Sequence, residues 1–295
     1  MPALAQPDVQ SARRTLVDDY QRIRKDSELI CAPLKTDDYC VQTMPDVSPA
    51  KWHLAHTSWF FETFILLPFL DNYRCFDSYY DHLFNSYYIT HGQPFSRPAR
   101  GLLSRPTVEQ IYRYRAAVDE AMQTLLANAA VTSRPQIEQL VILGMNHEQQ
   151  HQELMLTDLK HVFAQNPMRP RYRELALPPS RPSSEISWLA VDEGIYKVGQ
   201  HGDAFAYDNE YPRHKVLLNG FALASRPVTN AEYIAFIEDD GYREPALWLS
   251  DGWTMLQSNT WKAPLYWERR DNEWWHMTLD GMRPLDLHAP VCHVS

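Results

Sequence analysis

The stretch PQIEQLVILGMNHEQQHQELMLTDLKHVF, residues 135–163, decides how the first half of the chain folds. Ile137, Leu140, Val141 and Leu143 recur at helical spacing, and Pro135 stands at the start, where a missing N–H is harmless. One long helix is expected. Within it His147 and His151 are four residues apart, which turns a helix through about 400° and puts both imidazoles on one face, one turn apart. Two imidazoles so placed can share a metal ion. Working outward, SPAKWHLAHTSWFFETFIL (48–66) predicts a second helix, with Ser48 as cap and Pro49 at the first helical position. A third runs from about Val9 to Leu29, with Leu16, Tyr20 and Ile23 on one face. A fourth runs from Thr107, a capping residue, to Leu126, with Val108, Ile111, Tyr114, Ala117, Val118, Ala121 and Leu125 as its buried stripe. Four long helices imply a bundle, a scaffold in which facing helices often build metal sites.

The composition changes after Asn166. PMRPRYRELALPPSRPSSE (167–185) is proline-rich and cannot continue a helix. From Trp188 onward the chain holds seven of its nine tryptophans and seven of its ten glycines, which argues for short strands and loops instead of another bundle. The expected organisation is α+β: a metal-binding helical bundle over 1–166, a linker over 167–187 and a second domain over 188–295.

A chain of 295 residues suits two domains. Aromatic residues make up 12% of it, against the aromatic-poor composition of a disordered chain. A net charge of −9 opposes nonspecific nucleic-acid binding, which needs Lys and Arg to displace counterions. No nucleic-acid partner is expected. The N-terminus, MPALAQPDVQSARR, lacks a basic start followed by an apolar core, so export is not expected. Phe60 to Leu70, the most apolar run, is broken by Glu62, Thr63 and Pro68 and falls short of the roughly 20 residues of a membrane span. Cys31, Cys40, Cys75 and Cys292 form no CxxC pair, so neither a disulfide framework nor a thiolate zinc site is suggested. A reducing cytoplasm is the expected setting, and the oligomeric state is not legible.

A third metal ligand is expected from the second helix, where His53 and His56 lie in an otherwise apolar run and a buried imidazole needs a partner. His56 is preferred because it shares a face with Trp52, Trp59 and Phe60, whereas His53 falls on another side. HEQQH also fits the zinc-protease pattern, whose glutamate is a general base. That reading fails for want of a third ligand: the nearby acid, Glu174, lies in the linker, and Leu154 and Thr157 stand where the longer motif needs Gly and His. Three histidine ligands leave coordination positions open, which implies catalysis, but imidazole suits zinc and iron alike.

Through WHLAHTSWFFE, LFNSYY, RPARGLLSRP and HEQQHQELML, followed by DNEYPRHKVLLNGFALASRPVTNAEYIAF, WLSDGW and APLYW, the chain resembles the ergothioneine-type sulfoxide synthases from about Asp38 to its end. In that family a DinB-like helical bundle precedes a formylglycine-generating-enzyme-like (C-type-lectin-like) domain. The resemblance implies iron(II) held by His56, His147 and His151. It further implies O2 as co-substrate and a C–S bond, with S-oxidation, between cysteine or gamma-glutamylcysteine and the imidazole of trimethylhistidine (hercynine). It maps active-site tyrosines onto Tyr87 and Tyr88, where a phenol steers oxygen away from simple thiol oxidation. Arg97 and Arg100 are then expected to clamp the thiol substrate's carboxylate, and Gln150 to bond the imidazole substrate or a ligand. Asn146 and Glu148 are expected to be structural neighbours.

Three other readings accompany this one. A selenoneine synthase shares the architecture and uses a selenium donor. DinB-like bundles with three histidines also serve as metal-dependent thiol transferases without O2 chemistry, which leaves the second domain unexplained. The last is a noncatalytic fragment whose lectin-like half binds a partner or sugar. The resemblance places a further tryptophan- and arginine-containing region after a segment like PVCHVS, so the lectin-like domain is expected to be incomplete at its C-terminus.

Overall fold

Local capping and periodicity account for the helices of the computed structural model, which describes residues 9–87, 92–176 and 179–294. The chain divides into two units, Met1–Arg173 and Glu174–Ser295, and the division falls inside the proline-rich stretch.

The first unit contains α1 (Val9–Cys31), α2 (Ala50–Phe61), the short α3 (Leu67–Phe69) and α4 (Tyr80–Phe84), then α5 (Val108–Asn128) and α6 (Arg134–Gln165). Every residue of α2 is buried, its polar residues Lys51, His53, His56, Thr57 and Ser58 included, and α1, α5 and α6 pack against it. The helix passes into a π-helical turn at Glu62–Leu66 before α3. Glu62 is buried there but fully engaged, accepting from the Tyr73 hydroxyl, the Phe76 N–H and the Tyr114 hydroxyl.

The start of α2 differs from expectation. Pro49 is the cap residue and no side chain caps the helix. Ser48 is committed elsewhere: its hydroxyl accepts from Arg100 at 2.8 Å and its N–H donates to Asp158 at 2.8 Å. Thr107 does cap α5, exchanging hydrogen bonds with Gln110 in a capping box. The buried face of α5 adds a surprise, since Arg115 is fully buried on it while Ala117 and Ala121 are only half-buried. Gly144 lets α6 close on α2, because a Cβ there would lie 2.6 Å from the Phe61 ring.

The second unit pairs β1 (Trp188–Val191) with β4 (Phe221–Ala224) and β2 (Gly194–Val198) with β3 (His214–Leu218), all antiparallel. A meander of β5 (Trp267–Arg270), β6 (Glu273–Thr278) and β7 (Gly281–Pro284) follows. Strands and loops alone do not describe it. The unit also holds α7 (Asn230–Glu238) and α8 (Ser250–Asn259), and α7 begins with the capping box Thr229–Glu232, a signal present in the text TNAE. Together the units make an α+β chain.

The four cysteines are free thiols, and burial raises that of Cys31 to about 12. Among the described residues no helix is long and apolar enough to cross a membrane.

Candidate metal centre

Two helices bring four imidazoles together, α2 with His53 and His56 and α6 with His147 and His151. The His56 ring stacks between Trp52, at 4.6 Å, and Trp59, at 5.6 Å, its neighbours one turn before and after. Its Nδ1–H donates to the Phe84 carbonyl at 2.5 Å, one of the carbonyls at the end of α4 that lack a partner inside the helix. That bond fixes the tautomer and leaves the Nε2 lone pair facing α6. His147 Nε2 lies 3.3 Å from it, and one ring nitrogen from each of His56, His147 and His151 falls within 4.8 Å of the others. His151 turns its Nδ1 the other way, to His53 Nδ1 at 2.9 Å.

Burial keeps these rings neutral. It holds His56 and His151 well below the usual imidazole range, with neighbouring imidazoles adding to the effect, and His147 at about 4. Neutral imidazole is the ligating form. In the absence of a cation the geometry is awkward: with His56 donating from Nδ1, His147 must donate from Nε2. Its Nδ1 is then a bare acceptor, buried and without a hydrogen-bond partner among the described residues. A cation between the two Nε2 atoms removes that constraint, so the residues fit a metal. Three imidazole donors suit iron, zinc or copper and leave coordination positions open.

The triad lines a cleft of about 590 Å³ together with Arg97, Arg100, Tyr87 and Gln150. Arg97 donates to the Asp46 carbonyl at 2.6 Å and to the Tyr87 hydroxyl at 3.2 Å. Arg100 is buried, its guanidinium 3.4 Å from the centre of the Trp52 ring and bonded to Ser48. Burial, then the Arg97 charge, lowers it to about 10, so it remains a cation at neutral pH. Tyr87 is 75% exposed. Tyr88 lies outside the described residues.

Glu148, the glutamate of HEQQH, is turned away from the triad. Its carboxylate is completely buried and accepts from Arg24 at 2.9 Å, Ser27 at 2.6 Å and Arg115 at 2.9 Å. Burial alone would raise this carboxyl, but the two guanidiniums hold it at about 2. It braces the bundle and is not placed to act as a base at the metal. Helical spacing singled out neither Arg24 nor Arg115, because long side chains reach across helix boundaries that a periodicity argument treats as separate. His53 is likewise closer to the centre than expected: instead of falling on another side of α2, it neighbours His56 at i,i+3, and both rings lie against His151, at 5.2 Å and 4.7 Å. Asp158, which accepts from His53 Nε2 at 3.0 Å, was also missed, although it stands seven residues after His151 on the same stripe of α6.

Residues 19–155 match the DinB superfamily, and residues 174–295 match the sulfatase-modifying factor enzyme 1-like domain. Among curated proteins, the hercynine oxygenase of Mycobacterium tuberculosis is 28% identical over 270 residues, which are 88% of this chain and 58% of that protein. The hercynine oxygenase of Mycolicibacterium thermoresistibile is 30% identical over 196 residues, 58% of this chain and 42% of that protein. Ergothioneine biosynthesis protein 1 of Neurospora crassa is 24% identical over 180 residues, 57% of this chain and 18% of that protein. The chain thus spans between about a fifth and three fifths of the length of these relatives. It is similar to the hercynine oxygenases over most of its own length, and it carries a DinB-superfamily match followed by a sulfatase-modifying-factor-like match.

Proposed function

We propose that the cleft is the active site of an iron(II)- and O2-dependent enzyme that couples a cysteine-type thiol, cysteine or gamma-glutamylcysteine, to the imidazole of hercynine. The observation that carries this reading is one cleft lined by three converging neutral imidazoles and two arginines. In this reading residues 1–166 are the metal domain, 167–187 the linker and 188–295 the formylglycine-generating-enzyme-like domain. The reaction balances as thiol plus imidazole C–H plus O2 giving the C–S-linked sulfoxide plus water. Iron(II) held by His56, His147 and His151 supplies the one-electron chemistry that O2 requires.

The protein's own residues bind and orient. Arg97 and Arg100 receive the thiol substrate's carboxylate, exchanging contacts to the Asp46 carbonyl and the Ser48 hydroxyl for charge-assisted bonds. The Tyr87 hydroxyl already accepts a hydrogen bond from Arg97, which leaves its own proton to donate into the cleft. We assign it the task of delivering a proton or hydrogen bond that favours coupling over sulfinate formation. Tyr88 is the alternative donor, and Gln150 is assigned to the imidazole substrate.

The test is anaerobic reconstitution with Fe(II), followed by hercynine, either thiol and O2. The expected product has the mass of both substrates less two hydrogens plus one oxygen. Oxygen uptake that yields only the thiol's sulfinate would sink the reading.

A further inference from the structure

The geometry points to His53 and Asp158 as a positioning relay that sets the tautomer and orientation of His151, an inference that rests on the metal centre proposed above. Neither residue belongs to the triad. His53 is 2% exposed and its two ring nitrogens are both engaged, Nδ1 with His151 Nδ1 at 2.9 Å and Nε2 with Asp158 Oδ2 at 3.0 Å. A carboxylate only accepts, so His53 donates from Nε2, and its Nδ1 is then a lone pair that accepts from His151 Nδ1–H. It follows that His151 presents a bare Nε2 to the centre. The far end of the relay is fixed as well, because the Ser48 N–H donates to the same Asp158 oxygen at 2.8 Å.

The relay does for His151 what the Phe84 carbonyl does for His56, but with a carboxylate at its end it also raises the basicity of the ligand. Hydrogen-bond partners of metal-bound imidazoles typically change metal affinity by about 10- to 100-fold. It further accounts for a second imidazole in an apolar helix. A histidine at position 53 that only filled space would leave two buried ring nitrogens to satisfy, a poor choice beside a Leu or Phe.

The experiment titrates the full chain with Co(II) against a chromophoric chelator, recording affinity and the visible bands that report ligand geometry, with the apo melting temperature measured in parallel. His53→Phe keeps the bulk and breaks the relay, and it is expected to weaken Co(II) roughly 10- to 100-fold and shift the bands. His53→Gln, whose amide offers one acceptor and one donor, should restore most of the affinity, and Asp158→Asn should fall between. If the parent binds Co(II) and His53→Phe binds equally tightly with unchanged bands, the relay is wrong while the centre stands. A lower apo melting temperature with unchanged affinity likewise makes His53 a packing residue only. A parent chain that takes up no Co(II) overturns the centre and the relay together.

Discussion

Arg97 and Arg100 face one cleft with different obligations, and that difference makes them separable. Arg97 is exposed and its present partners are a carbonyl and a phenol, so Arg97→Leu should leave the fold intact. It should raise the KM of the thiol substrate by roughly 10- to 100-fold, the range for one charge-assisted hydrogen bond, with little change for hercynine. Steady-state kinetics varying each substrate in turn checks this, and equal rises would remove Arg97 from the clamp. Arg100 packs on Trp52, which stacks on His56, so its loss should disturb the metal site as well. Tyr87→Phe deletes only a hydroxyl at an exposed position; the expected outcome is a larger sulfinate fraction at similar KM values, read by mass spectrometry, and an unchanged ratio would shift the donor role to Tyr88. At this scale the pairing of His147 and His151 was legible because side chains at i and i+4 share a face by helix geometry alone, whereas His56 was preferred only for the aromatic face it shares on its own helix. The pairing of His53 with Asp158 was not legible, because their meeting depends on how α2 lies against α6, which no single helix encodes.

Between elements, a buried polar network does what a purely apolar core does elsewhere. Arg24 from α1, Arg115 from α5 and Glu148 from α6 meet around one carboxylate, while Arg115 also donates to the Leu54 carbonyl and Thr57 hydroxyl of α2. Removing one partner strands the other charges without water. Glu148→Gln should therefore cost about 3–5 kcal/mol in a denaturant titration, although it touches no ligand. The pH dependence has a definite sign. The carboxyl's usual value is 4.5 and its folded value about 2, so the unfolded chain takes up the proton first. The stabilisation is present above about pH 4.5 and is lost as pH falls toward 2. Acid unfolding of the parent should steepen across that window, and Glu148→Gln should flatten it. Gly144 sets the α2–α6 distance from the apolar side. In Gly144→Ala the new methyl meets the buried Phe61 ring, so stability should fall by roughly 1–3 kcal/mol despite alanine's better helix propensity. Because His147 lies one turn on, weaker Co(II) binding should accompany it.

Across the whole molecule, the division between Arg173 and Glu174 falls where proline use rises and before the tryptophan-rich stretch begins. The long helices were readable from their stripes, whereas α7 and α8 were hidden in a tryptophan-rich text whose turn residues suggested strands. The same uneven distribution supplies two separate probes. The long helices of the first unit dominate the far-ultraviolet circular dichroism, while seven of nine tryptophans, and so most of the fluorescence, lie in the second. All three histidines proposed as metal ligands belong to the first unit, so metal bound by them would add its free energy to the unfolding of that unit. A ligand at about 100 times its Kd stabilises by about 2.7 kcal/mol, which for a unit of this size corresponds to a rise of roughly 5–10 °C in melting temperature. Anaerobic Fe(II) should therefore raise the dichroism midpoint by that amount and move the fluorescence midpoint less. In His56→Ala, where water must complete the site, both midpoints should stay where they are without metal. An equal rise in His56→Ala would mean that iron binds elsewhere. An equal rise of both probes in the parent would mean that the halves unfold as one cooperative body, which would contradict the separate unfolding predicted here.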